Sequence, residues 1–253
     1  MIKVLLTGCN GRMGRAVTEL CAGDERLEIV AGVDLNPVRL SGYPVYGDLM
    51  EFGGKADVVV DFSNASALDD LLRYGVETGT PLMLATTGYS DQQLSQIQEA
   101  AKKIAVFRSG NMSLGISLLQ ELVKKAASVL GDSFDVEIIE KHHNQKLDAP
   151  SGTALMLYEA AAGALNYETE PVYQRQNVRR KRRKGEVGIH SVRGGTIVGE
   201  HQVMFAGHHE VVTLSHSALS REVFAAGAVK AALFLAGKDA GLYNMADVVA
   251  AAQ

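Results

Sequence analysis

The first half of the chain alternates short apolar runs with amphipathic stretches. Ile2–Thr7, Leu27–Val33 and residues 56–62, 81–86 and 104–108 are rich in Val, Ile and Leu. Such runs predict strands buried on both faces of a parallel sheet. Arg12–Ala22 and residues 65–78 and 91–103 lie between them and carry helix-type patterns. Ser90, with Gln93 three positions on, predicts a capping box that opens the third helix. The alternation implies right-handed crossovers and an α/β fold with a Rossmann-type doubly wound parallel sheet.

The pattern changes after Asn111. Leu114–Leu130 reads as a long helix, and residues 134–141 alternate like a strand. From Gly188 onward strand-like segments follow one another, at 197–205 and 210–217. Strands in succession predict an antiparallel or mixed sheet, hence a smaller α+β domain. Residues 221–236 read as a helix rich in Ala and Leu, and 245–252 as a short apolar segment. The expected organisation is a dinucleotide-binding domain at 1–112, then a substrate-binding and oligomerisation domain at 113–220. Residues 221–253 are expected to pack back onto the first domain.

Composition narrows the class. With 253 residues, 47% hydrophobic and 21% charged, the chain is long enough for two modest domains and ordinary for a soluble globular protein. A net charge of −4 speaks against general nucleic-acid binding. Cys9 and Cys21, the only cysteines, make neither a disulfide framework nor a zinc site, and point to a reducing cytoplasm. No basic segment precedes a long apolar run at the start, so no signal peptide is expected, and no run is long enough for a membrane span. Six consecutive bases at 179–184 read as a solvated loop rather than a nucleic-acid patch, given the overall negative charge. His208 and His209 lie between two strand-like runs and read as turn residues.

Candidate chemistry starts at the first turn. Gly8, Gly11 and Gly14 join the first strand to the first helix in a G-x-x-G-x-x-G spacing, a variant of the dinucleotide fingerprint. Glycine there lets the backbone approach a pyrophosphate, and the helix N-terminus supplies N–H groups and a positive dipole end. Asp34 follows Gly14 by 20 residues at the end of the second strand, where an acid accepts hydrogen bonds from ribose hydroxyls and repels a 2′-phosphate. Leu35 brings no cation for that phosphate, although Arg12 and Arg39 are candidates for one. The reading therefore favours NADH over NADPH. Ala85-Thr86-Thr87-Gly88 and Ser109-Gly110-Asn111-Met112 follow the fourth and fifth predicted strands and complete the cofactor edge.

The densest cluster spans residues 140–154, E-K-H-H-N-Q-K-L-D-A-P-S-G-T-A. His142 and His143 are adjacent, so on a strand they leave opposite faces, and Lys146 is a poor metal ligand. No metal site is expected. Ser151 is a good N-cap for a helix running from Gly152 to about Leu165. The Gly152 and Thr153 N–H groups then form a carboxylate site at a helix start, with Lys146 adding positive charge and a histidine exchanging protons.

With these residues in view, the chain resembles the dihydrodipicolinate reductase family, also called 4-hydroxy-tetrahydrodipicolinate reductases, of the diaminopimelate and lysine pathway. The resemblance rests on G-C-x-G-R-M-G at 8–14, D-F-S at 61–63, T-T-G at 86–88, E-x-H-H-x-x-K-x-D-x-P-S-G-T-A at 140–154, and V-R-G-G-T-I-V-G-E-H at 192–201. It covers nearly the whole chain. It implies hydride transfer from NADH or NADPH to a cyclic unsaturated dicarboxylate, giving tetrahydrodipicolinate. By motif position it implies His142 as proton donor and acceptor, Lys146 as a further proton donor, and His143, Gly152 and Thr153 as substrate contacts. Cofactor contacts are implied at Gly8, Cys9, Asn10, Gly11, Arg12, Met13, Asp34, Ala85, Thr86, Thr87, Ser109, Gly110, Asn111 and Met112. A cytoplasmic homotetramer built through the substrate-domain sheet is the implied assembly, with no nucleic-acid or membrane partner. Two rivals from the residues alone are a DNA-binding dinucleotide sensor and a nicotinamide dehydrogenase for another amino or hydroxy acid. The sensor has no use for the His-His-Lys cluster, and no helix-turn-helix signal accompanies the sheet.

Overall fold

The computed structural model describes residues 1–252. Contacts divide the chain into one unit made of Met1–Leu114 and the chain from Glu222 onward, and a second unit, Gly115–Arg221.

Among the described residues, the first unit holds a seven-stranded sheet in the order β12-β6-β5-β4-β1-β2-β3, with every pairing parallel. The strands are β1 (Ile2–Thr7), β2 (Leu27–Val33), β3 (Val45–Tyr46), β4 (Val58–Asp61), β5 (Leu82–Leu84), β6 (Ala105–Arg108) and β12 (Gly241–Tyr243). Adjacent residues of one strand feed opposite cores, which explains the unbroken apolar runs. Val4 and Leu6 of β1 pack under α1 (Arg12–Ala22), α6 (Glu222–Leu235) and α7 (Met245–Ala250), whereas Leu5 packs under α2 (Leu68–Thr78) and α3 (Asp91–Ala101). The capping box at Ser90 and Gln93 forms, each side chain meeting the other's backbone N–H. The chain leaves β1 toward β2 and β3, then returns to build β4, β5, β6 and β12 on the other side. This reversal puts a crevice at the carboxyl ends of β1 and β4, where open α/β sheets bind their ligands.

The second unit is a mixed five-stranded sheet in the order β11-β10-β7-β9-β8. Its strands are β7 (Asp135–His142), β8 (Glu170–Val172), β9 (Glu186–Arg193), β10 (Gly199–Ala206) and β11 (Val211–Ala218). β9 runs parallel to β7 and β8, while β10 runs antiparallel to β7 and β11. One face is covered by α4 (Leu114–Leu130) and α5 (Gly152–Ala162), packed through Ile116, Leu119, Leu157 and Ala161 onto Ile138, Val203 and Phe205. Strict alternation along β7 and β10 leaves the other face half-exposed.

Several expectations shift in detail. The helix from Gly152 stops at Ala162 rather than near residue 165. The segment expected to begin a helix at residue 65 starts with a 3-10 turn, Ala65–Ala67, because Asn64 caps Ser66 first. His208 and His209 do form the turn between β10 and β11, His209 with a positive φ of 63°. The basic run is a loop with five of its six bases exposed, as expected. Its acidic partners were not foreseen: Arg182, with a side chain only 19% exposed, binds Asp135 and Glu137, and Arg180 and Arg183 pair with Glu186. Lys184 reaches Asp132. These bases neutralise acids on and beside β7 and β9.

Candidate active site

The cofactor candidates line the carboxyl edge of the first sheet. Gly8 has φ +69°, and a Cβ there would lie 2.5 Å from the Phe62 carbonyl oxygen. At Gly14 a Cβ would lie 2.3 Å from the Gly8 carbonyl oxygen. Both positions therefore exclude any side chain, the first for conformation and both for space. Gly11 is the N-cap of α1 and offers no side-chain cap, so the first-turn N–H groups are left for an external acceptor. A cavity of about 380 Å³ opens here, lined by Gly8, Gly11, Asp34, Phe62 and Ser63 among others. The uncapped helix start, the bare Gly11 and the acid across the cavity fit a dinucleotide.

Asp34 is preorganised. Its carboxylate accepts from Asn10 N at 3.0 Å and Asn36 N at 3.1 Å. The Asn10 amide holds the carbonyls of Asn36 and Val38, so this side chain braces the loop. The Arg39 guanidinium is turned back onto the carbonyls of Ser41 and Gly42. Arg12 is exposed, and Met13 packs at the margin of the core. Cys9 points inward; burial, with Asp34 nearby, pushes its thiol up to about 11.

Asp61 was not among the sequence candidates, yet it organises this edge. Fully buried, it accepts from the hydroxyls of Thr7 at 2.6 Å, Ser63 at 2.5 Å and Thr86 at 2.7 Å, and from Ser63 N at 3.0 Å. One carboxylate thus ties together the ends of β1, β4 and β5. A charged residue closing the apolar run at 58–60 was the available signal. Ala85, Thr86, Thr87 and Gly88 line a second opening, of about 510 Å³. Beyond β6, the Ser109 hydroxyl donates to the Asn111 carbonyl, Gly110 is exposed, and Met112 is buried in the core.

In the second unit the chemistry gathers at the end of β7. Glu140 and His142 both point to the covered face, where alternation otherwise demands apolar residues. Glu140 is fully buried and accepts from both terminal nitrogens of Arg193, at 2.8 and 2.7 Å, and from Ser151 N at 3.1 Å. Its fourth partner is His142 Nδ1 at 2.6 Å. Burial alone pushes the Glu140 carboxyl up, but the bonds from Arg193, His142 and Ser191 outweigh it and hold the group at about 2. Neither Glu140 nor Arg193 was a sequence candidate.

The anionic Glu140 fixes the proton of His142 on Nδ1, leaving Nε2 as the exchanging nitrogen. Nε2 faces Gly199 of β10, where a Cβ would lie only 3.1 Å away. Burial lowers the His142 pKa below its ordinary value; Glu140 opposes this, and Lys146 and Arg193 add to it. Lys146 is 21% exposed and pairs with Asp148 at 2.8 Å. Ser151 caps α5, accepting from Ala154 N at 3.2 Å. Gly152 follows it with open space around its Cα, and Thr153 is half-buried. His143 is also half-buried, one residue beyond the strand. The arrangement offers an imidazole nitrogen, an ammonium and a helix start to an anion.

The descriptions "Dihydrodipicolinate reductase, N-terminus" and "Dihydrodipicolinate reductase, C-terminus" match residues 2–112 and 115–249. The chain belongs to the dihydrodipicolinate reductase family. It is 53% identical over 249 residues to a 4-hydroxy-tetrahydrodipicolinate reductase of Caldanaerobacter subterraneus subsp. tengcongensis, covering 98% of each chain. A Clostridium novyi relative of the same name is 48% identical, again over 98% of both. Among solved structures, the dipicolinate-bound dihydrodipicolinate reductase from Paenisporosarcina sp. TG-14 superposes with a TM-score of 0.82, at 28% identity and over 96% of this chain and 97% of that one. The amine dehydrogenase of Mycobacterium smegmatis shares the fold alone, with a TM-score of 0.64 at 13% identity over 97% and 95% of the two chains.

Family membership makes this chain an oxidoreductase that uses a nicotinamide dinucleotide. Among the described residues no cluster of metal-ligating side chains occurs, and no helix is long and apolar enough to cross a membrane.

Proposed function

We propose that this member of the family reduces the cyclic unsaturated dicarboxylate derived from 4-hydroxy-tetrahydrodipicolinate to tetrahydrodipicolinate. The observation that carries the reading is the Arg193–Glu140–His142 chain, which leaves one imidazole nitrogen open in the same motif as Lys146 and the start of α5.

A reduced nicotinamide held at the first sheet's edge supplies the hydride. All other roles fall to the chain's own groups. The start of α1, with Gly8, Gly11 and the backbone from Cys9 to Met13, receives the pyrophosphate. Thr86 and the 109–112 turn flank the same edge. In the second unit, the Gly152 and Thr153 N–H groups and the Lys146 ammonium hold a substrate carboxylate, with His143 beside them. His142 Nε2 and Lys146 Nζ are the groups that carry the proton accompanying reduction. Positioning supplies much of the acceleration, because held reactants no longer pay the entropy of encounter.

NADH is the preferred donor in this reading. Asp34 keeps an anionic acceptor at the ribose position, Leu35 beside it is uncharged, and Arg39 is committed to carbonyls elsewhere. The reading includes a cytoplasmic homotetramer. Free Cys9 and Cys21 support the compartment, and the half-exposed face of the second sheet, with Ile139 and Met204, supports assembly. Light scattering on the purified protein tests the tetramer.

The deciding experiment couples the purified protein to the synthase that makes the cyclic substrate, and follows NADH absorbance at 340 nm (roughly 1–10³ turnovers per second is the ordinary range). Consumption that depends on both proteins supports the activity. No consumption at saturating synthase refutes it.

A further inference from the structure

We infer that His201 of β10 is a positioning residue that makes the Ser151 hydroxyl a hydrogen-bond donor to a substrate carboxylate. This inference rests on the dicarboxylate reading above and goes beyond it, since the proposed mechanism gives His201 no role.

His201 is buried, 5% exposed, beside Glu140 in the antiparallel pairing of β10 with β7. Its ring meets that of His142 edge-on, with centroids 5.2 Å apart. Nε2 lies 3.0 Å from Ser151 Oγ, while Nδ1 is buried without a hydrogen-bond partner. The neutral ring carries one proton, and the orphaned Nδ1 decides where. On Nδ1 the proton would be a buried N–H with no acceptor, among the rarest and costliest defects in a folded protein. On Nε2 it is donated to Ser151 Oγ, and Nδ1 becomes an unpaired acceptor, the lesser cost. Burial, with His142 beside it, holds the His201 pKa at about 4, so the neutral ring prevails near neutral pH.

Ser151 Oγ then receives two N–H groups, from His201 and from Ala154. Both acceptor positions of the hydroxyl are taken, and its own proton has to point elsewhere. Ser151 immediately precedes Gly152 and Thr153, whose N–H groups open α5. An anion seated on that helix start is the acceptor available to the Ser151 proton. The apparently structural histidine thereby sets the polarity of a capping hydroxyl.

The test is calorimetric binding of pyridine-2,6-dicarboxylate to the full-length protein with NADH present. His201→Phe keeps a ring and removes the donor; the expected result is dicarboxylate affinity weakened by about 3- to 10-fold, with NADH affinity unchanged. His201→Gln, whose amide nitrogen can donate from a similar place, should recover most of the loss. In the wild-type background Ser151→Ala should weaken binding, and adding His201→Phe to Ser151→Ala should cost little more, because the histidine acts through that hydroxyl. The same split is expected in kinetics: KM for the substrate rises and kcat changes less. Full affinity in His201→Phe, failure of the Gln rescue, or additive losses in the double variant overturns the inference. Wild-type protein that binds no pyridine dicarboxylate refutes the dicarboxylate reading itself, which separates the two failures.

Discussion

Glu140 Oε2 lies 2.6 Å from His142 Nδ1, two residues along the same strand and on the same covered face. Strand geometry makes that pairing nearly automatic, since alternate side chains leave the pleat together. What makes it chemical is the Arg193 fork on the far side of the carboxylate, which keeps Glu140 ionised in a buried place. The imidazole is oriented at one nitrogen and free to exchange at the other.

Replacing His142 by Gln should therefore remove proton exchange while keeping a polar side chain of similar reach. The expected loss in kcat is roughly 10²–10⁴-fold, the usual worth of general acid–base catalysis. NADH affinity, which the proposed function assigns to the other unit, should stay within twofold or so by fluorescence titration. Turnover near the wild-type rate would remove His142 from the role.

Acid stability should report Glu140 directly. Its carboxyl sits at about 2 in the fold against an ordinary value of 4.5. A depressed carboxylate contributes stability that is fully present above its unfolded pKa and lost as pH falls through its folded one. The melting temperature should thus decline from about pH 4.5 down to about 2. Glu140→Gln should melt lower at neutral pH and show a shallower decline, with Asp24, Glu137, Asp148 and Glu186, also lowered, keeping the remainder. Equal slopes in the two proteins would assign the acid sensitivity to the other carboxylates.

Gly199→Ala probes the open nitrogen of His142 from across the sheet. The added methyl carbon would lie 3.1 Å from Nε2, tighter than an ordinary contact, so either the ring or the strand has to shift by a few tenths of an ångström. Misplacement on that scale should lower kcat by roughly 10-fold, with circular dichroism unchanged. An alanine variant of full activity would show that Nε2 is approached from another side.

The parallel sheet was legible because strands buried on both faces must be apolar at every position, as Leu5 and Leu6 are in β1. Strands β3, β8 and β12 were not, since two or three residues are too few to display a period; they form because a neighbouring strand offers its edge. The His142, Lys146 and Gly152 motif is contiguous and could be read directly. Its supports could not. Arg193 lies 53 residues beyond Glu140 and reaches it through the parallel register of β7 with β9. Asp61 looked like the end of a strand, although its carboxylate gathers three strand ends. The basic run was legible as a solvated loop, but its ion pairs were not, because their acidic partners, Asp132, Asp135, Glu137 and Glu186, are scattered singly along the chain.

Arg182→Met tests the worth of those ion pairs. The guanidinium binds Asp135 at 2.6 Å, Glu137 at 3.2 Å and the Val136 carbonyl at 3.2 Å, so its loss removes three bonds at the start of β7, although Glu137 keeps Arg175 and His190. The expected destabilisation is about 1–3 kcal/mol, read as a lower urea midpoint. An unchanged midpoint would show that the ion pairs of this exposed loop add nothing to stability.

Asp34→Asn tests the cofactor preference at the cost of one bond to the loop. The amide keeps one carbonyl oxygen for Asn10 N or Asn36 N but removes the negative charge that a 2′-phosphate would meet. Charge repulsion at about 4 Å in a partly solvated cleft is worth a few kcal/mol at most. Screening and the lost ribose bond trim the net effect, so the ratio of kcat/KM for NADPH over NADH should rise by about 10-fold. Most of that change should come from KM, because the interaction is made before and during hydride transfer alike. Raising the salt concentration should narrow the wild-type discrimination and leave that of the variant nearly unaltered, since only the former depends on charge. A ratio that does not move would assign cofactor choice to another residue of the edge, with Arg12, exposed at the first turn of α1, the next to replace.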